Sequence, residues 1–152
     1  MKEKTKNKIL LIFICTITLI VLIISLKIHK NMQNNINSTS TIDKYLTEIK
    51  YEEISPHVVE QPNVIVYVSN SSDNSSVKFE RYFSDVIRKY NLENDIIYIN
   101  INNVTIVDPI YQYAPELVFY KDGNISDIID CNTLKNKKSI IKELKERGFI
   151  ND

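Results

Sequence analysis

The side chains best suited to chemistry are few. They are two cysteines, Cys15 and Cys131, two histidines, His29 and His57, and a polar stretch from Asn70 to Ser76 that reads NSSDNSS. Cys15 lies inside a long apolar run and Cys131 in the more polar remainder, so a disulfide between them is unreasonable. Their spacing from His29 and His57 does not form a metal site, and each histidine reads as an isolated solvated or packed side chain. Cys131 is either a lone redox-sensitive thiol or a small packed apolar residue. The Ser, Asp and Asn side chains of the polar stretch are helix N-caps by type, with Ser75 or Ser76 as the expected cap. A glycine-rich phosphate loop and a carboxylate pair are both absent from the sequence, so neither a metal nor a cofactor is expected.

These residues must be positioned by elements that the patterning outlines. Folding is expected to begin near Ile42; Asp43 to Lys50 alternates weakly, as a strand or short helix, and Tyr51 to Val59 reads as a helix interrupted by Pro56. Asn63 to Ser69, NVIVYVS, is a β-branched run bounded by Pro62 and the polar stretch, which predicts a buried strand. Beyond the stretch, Val77, Phe79, Tyr82, Phe83, Val86, Ile87 and Tyr90 recur at helical spacing. Asp95 to Ile101 predicts a second buried strand, and Asn102 to Gln112 is ambiguous, with a short helix ending before Pro109 as one reading. Glu116 to Tyr120 is a third strand, Asp122-Gly123 a hairpin turn, and Asn124 to Asp130 its alternating partner. Lys137 to Arg147 closes as an amphipathic helix with Ile140, Ile141 and Leu144 inward and Gly148 at its end. Strand, helix, strand, then hairpin and helix describe an α/β domain, a mixed sheet with helices on both faces.

Ahead of this domain lies the apolar run. From Ile9 to Leu26, fourteen of eighteen residues are Ile, Leu, Val or Phe, and none is charged, Pro or Gly. Eighteen residues at about 1.5 Å rise span roughly 27 Å, close to a bilayer's hydrocarbon thickness. Residues 9–26 are therefore expected to form one transmembrane anchor in contact with membrane lipid. Six Lys against Glu3 give residues 1–30 a charge of +5, while 13 Lys and Arg against 18 Asp and Glu give residues 31–152 a charge of −5. Lys2, Lys4, Lys6 and Lys8 outnumber Lys27 and Lys30, which predicts a cytoplasmic segment 1–8 and an extracytoplasmic domain. A cleaved signal peptide remains an alternative, with Ser38-Thr39-Ser40 as its only small-residue site. Residues 27–41, polar and aperiodic from Asn31 to Thr41, read as a flexible stalk leading to a domain over 42–152. The domain is mildly acidic overall, whereas phosphate binding needs clustered cations, so nucleic acid is not an expected partner.

The domain resembles the thioredoxin-like fold family over roughly residues 42–150. The resemblance is carried by IVYV at 65–68, a polar loop, the helix opening VKFERYF, IIYINI at 96–101, Ala114-Pro115 before ELVFY, Lys121-Asp122-Gly123, and the last helix IIKELKERGFI. Small membrane-anchored members of Gram-positive bacteria, some grouped as bacteriocin transport accessory proteins, share this layout. The resemblance implies that Pro115 is the family's cis-proline, where backbone lies beside the active-site loop and substrate chains can pair. It also aligns Asp73-Asn74-Ser75-Ser76 with the family's Cys-x-x-Cys, whose first thiol is ionised by the helix-end amides and whose second resolves the mixed disulfide. Neither Asp73 nor Ser76 can form a disulfide, so no catalytic residue is expected and the chain is not expected to be an enzyme of this type. Three roles follow as expectations. The first is a binding or accessory module for a protein or peptide at the 73–76 loop and Pro115; the others are a thiol helper using Cys131 and a structural subunit of an export or cell-envelope complex.

Overall fold

A computed structural model describes residues 13–27, 42–102 and 104–151. The chain divides into two compact units between Asn37 and Ser38. The expected segment 1–8, the first residues of the apolar run at 9–12, His29 and stalk residues 28–41 lie outside the described residues. Within the first unit, residues 13–27 form a helix, α1, whose side chains are exposed. Two hydroxyls in it are satisfied internally: Thr16 donates to Phe13 O at 2.8 Å and Thr18 to Cys15 O at 2.9 Å. Among the described residues, no helix is long and apolar enough to cross a membrane.

The second unit is a mixed α/β domain. Its strands are β1 (Ile65–Ser69), β2 (Ile96–Asn100), β3 (Glu116–Lys121) and β4 (Asn124–Asp130), in the order β2-β1-β3-β4. β1 and β2 are parallel, with Tyr67 opposite Tyr98, and β3 runs antiparallel to both β1 and β4. The parallel pair needs a crossover, which α3 (Asn74–Tyr90) supplies. Asn91 ends that helix at φ +53°, and Leu92 N donates to Ile87 O at 3.1 Å. The hairpin turn has Asp122 at φ +53° and Gly123 at φ +77°, the paired left-handed residues of a two-residue turn that matches strand twist. A further segment flanks β2, where Glu48 bridges Tyr98 in parallel and Ile49 N donates to Tyr98 O at 2.9 Å.

The sheet is covered on both faces. Ile65, Tyr67, Leu117 and Phe119 face α3 and α4 (Lys137–Glu146), where Phe79, Phe83, Ile87, Ile140 and Leu144 complete one core cluster. Val66, Val68, Val118 and Tyr120 face the other way, under α2 (Ile54–Glu60) and the segment that carries Tyr111. β1 is buried along its whole length because it is central and covered twice, and so it reads as a continuous apolar run.

Four local expectations are corrected. Pro56 does not interrupt a helix: a 3₁₀ turn at Tyr51–Glu53 leads into α2, and Pro56 sits in its first turn, where an amide donor is not needed. The cap of α3 is Asp73, not Ser75 or Ser76, so the helix starts earlier. Tyr82 is 42 % exposed, about a quarter-turn from the stripe that buries Phe79, Phe83 and Val86. Among the described residues of 102–108 no helix forms; a 3₁₀ turn begins at Pro109, Pro109–Tyr111, capped by Asp108 accepting from Ile110 N at 3.0 Å.

Candidate functional site

The polar stretch lies at the carboxyl end of β1 and runs into α3, with β2 ending alongside. Asp73 is extended at φ −96°, ψ 128°, and its Oδ2 accepts from Ser76 N at 3.4 Å. That carboxylate occupies an orphan amide at the positive end of the helix. Ser76 is fully buried, and its Oγ accepts from Asn70 N at 3.2 Å. The loop is tied to β2 by a three-residue polar knot. Ser71 N donates to Asn100 Oδ1 at 3.2 Å, while Asn100 Nδ2 and Asn102 Nδ2 donate to Ser71 Oγ at 3.1 and 3.2 Å.

Beneath the loop sits a group that the sequence reading passed over. Glu80 is 0 % exposed, and its Oε1 accepts from Ser69 Oγ at 2.7 Å and Tyr67 Oη at 3.2 Å. Burial of a carboxylate is costly unless such donors surround it. Burial and the Glu80 carboxylate together raise the Tyr67 phenol well above its ordinary pKa, which keeps the Tyr67 proton in place to donate. A signal for this group existed: position 80 follows Ser76 by four residues and precedes Phe83 by three, on the buried stripe of α3.

The fold brings most of the sequence-derived residues together. The Ala114–Pro115 peptide is cis, and Cys131 N donates to Pro115 O at 2.9 Å. Asn74, Ser75 and Cys131 line one open groove of about 490 Å³, with Lys78, Arg81 and Lys135 on its walls. Asp73 and Ser76 instead serve the helix start. Cys131 is 2 % exposed, with Sγ 3.9 Å from Ile129 O. Burial first, then the carboxylates of Asp130 and Glu116, push its thiol well above the ordinary range, so it stays protonated near neutral pH. His57 lies on α2, away from these residues in sequence and on the opposite cover of the sheet. Among the described residues, no three His, Cys, Asp or Glu side chains are placed to hold a metal ion.

A second region was not foreseen. On the α2 side, two adjoining grooves of about 500 and 430 Å³ both include Tyr51 and Glu52 in their walls. Tyr51 Oη donates to Asp108 Oδ2 at 3.2 Å, its ring meets Tyr111 edge-on at 5.6 Å, and the Tyr111 and Tyr120 hydroxyls are in short contact. Burial, followed by the Tyr120 hydroxyl, raises the Tyr111 phenol above its ordinary value. These tyrosines come from 3₁₀ turns and a strand far apart in sequence, so no local spacing announces them. Neither a protein-family model nor a curated protein matches this chain.

Proposed function

We propose that this chain is a membrane-anchored, extracytoplasmic domain of thioredoxin-like design that has given up dithiol exchange and holds a polypeptide partner at the start of α3, beside Pro115. The observation that carries the reading is the single groove shared by Asn74, Ser75 and Cys131, with Cys131 N bound to Pro115 O. That groove runs from the loop aligned with the family's dithiol to Cys131, whose backbone is bonded to the cis-proline, but the loop has no thiol and Cys131 is buried and protonated. A protonated, inaccessible thiol is a poor nucleophile, which weighs against the reading of Cys131 as a redox helper. Anchoring is supported by the apolar run 9–26 and by the internally bonded hydroxyls of Thr16 and Thr18, which leave α1 an apolar exterior.

The full-length chain should reduce insulin disulfides no faster than its Cys131→Ser variant; a faster wild-type rate refutes the binding-module reading. A photo-crosslinking residue at Ser75 should trap a discrete polypeptide adduct in cells, whereas one at Lys121 should not. Protease added to intact cells should remove the domain, and full protection would overturn the outward topology.

A further inference from the structure

We propose that the partner at this site is an acidic polypeptide segment, which lies extended along a cationic stripe on α3 and the start of α4. The inference rests on the reading of the loop and Pro115 as a binding site. On α3, Lys78, Arg81, Tyr82, Asp85, Arg88 and Lys89 recur at intervals of three and four residues, so they share one outward face. Two grooves follow that face. The first, beside Asn74 and Ser75, has Lys78, Arg81 and Lys135 in its walls. The second, of about 570 Å³, has Arg88, Lys89, Lys137 and Lys138.

Among the described residues that line both grooves the only carboxylate is Asp85, which pairs with Arg88 at 3.2 Å and with Lys137. The Lys137 ammonium holds the Asp85 carboxyl below its usual range, so that one anion is already engaged. Seven cations along one stripe contrast with a charge of −5 for residues 31–152 as a whole. The grooves on the α2 side carry the reverse: Glu48, Glu52, Glu53 and Asp108 against Lys50. An acidic chain is therefore attracted to one face and repelled by the other, which sets orientation as well as association rate.

Concavity decides between partners. Two grooves in line accept a chain, whereas a lipid surface would meet a flat or convex face. Lys78 to Lys89 spans roughly 17 Å of helix, the length of about five extended residues. A segment of that length with Asp or Glu at most positions matches the stripe. Tyr82, 42 % exposed in the wall of the first groove, offers an apolar contact partway along the stripe.

The test uses the full-length chain in phosphatidylcholine nanodiscs and a synthetic peptide of about ten residues with Asp or Glu at most positions, the extra length covering both grooves. Mass spectrometry after lysine acetylation should show Lys78, Lys89, Lys135 and Lys138 protected by the peptide, with Lys50 and Lys121 unchanged. Affinity should fall at least tenfold in Lys89→Glu/Lys135→Glu, and also on raising salt well above physiological strength. A Lys50→Glu/Lys121→Glu variant, with the same charge change, should bind within about twofold of wild type. Circular dichroism would check that both variants fold. Unselective protection, or equal loss in both variants, overturns the inference. So does protection of the stripe by phosphatidylglycerol nanodiscs without any by the peptide, which would assign it to anionic lipid. Insulin reduction by a chain that still binds the peptide would instead refute only the non-catalytic reading.

Discussion

The two faces of the sheet are built to different standards. Under α3 and α4, Tyr67, Phe79, Phe83 and Tyr98 pack ring against ring, with Tyr67 5.3 Å from Phe83 and 5.8 Å from Tyr98, and even the buried carboxylate of Glu80 has donors. Under α2 the cover is one seven-residue helix and short 3₁₀ turns, and Val59 and Val107 stand 80 % and 85 % exposed. A long helix can seal a sheet because it presents an uninterrupted stripe of side chains. Short turns cannot, since each spends backbone amides at its ends and leaves gaps between. Stability should accordingly reside on the helical side, and local opening on the other.

The sharpest way to break this contrast is to cut into the helical core. Phe83→Ala, at a fully buried site packed against the rings of Tyr67 and Phe79, should cost about 3–5 kcal/mol in urea unfolding. A loss below about 1 kcal/mol would mean that the aromatic cluster repacks freely. Glu80→Ala should come next, at about 2–4 kcal/mol, because it strands the hydroxyls of Ser69 and Tyr67 in a dry site. Glu80→Gln keeps an acceptor and should cost less; equal losses would show that the charge, not the bonding, is what the loop needs.

On the α2 side, Val58→Ala removes two methyl groups from a buried but thinly covered site and should cost about 1–2 kcal/mol. A loss as large as that of Phe83→Ala would erase the contrast between faces. Smallest is the ion pair that seats the end of α4 on β4. Arg147 Nε donates to Asp127 Oδ2 at 3.0 Å, and its guanidinium lies 4.9 Å from the Phe119 ring centre. The Arg147 guanidinium holds the Asp127 carboxyl below its usual range. A depressed carboxylate pKa contributes stability that is full above the unfolded pKa and fades as pH falls through the folded one. Asp127 is 46 % exposed, so Asp127→Asn should cost only about 0.5–1 kcal/mol at pH 7. The gap from wild type should close on acidification below about pH 4; a gap that persists there would mean shape rather than charge holds the contact.

Legibility in the sequence followed how local the cause was. β4 and its Asp122-Gly123 turn were readable to the residue because turn chemistry acts between near neighbours, although the strand itself is exposed along most of its length rather than alternately buried. Tyr82 was misjudged because a spacing rule marks a helix face without saying how wide the opposing sheet is. Residues 102–112 resisted reading because several of their partners are remote: Tyr51 Oη donates to Asp108 Oδ2 at 3.2 Å, and Asn102 Nδ2 to Ser71 Oγ at 3.2 Å. The loop at 73–76 was recognisable by residue type, whereas Glu80 below it needed the strand residues Tyr67 and Ser69 to give it meaning.

Composition and periodicity alone determined the apolar run at 9–26, the split of charge along the chain, the α/β pattern and the lack of a Cys-x-x-Cys pair. Those are properties of contiguous residues. Tertiary structure alone decided that Pro115, Cys131 and Ser75 share a neighbourhood, that Glu80 is buried with its donors, and that cations from α3 and α4 line one stripe. The physical reason is range. Hydrogen bonding, desolvation and Coulomb forces act over a few ångströms of space, and only folding converts distance along the chain into distance in space.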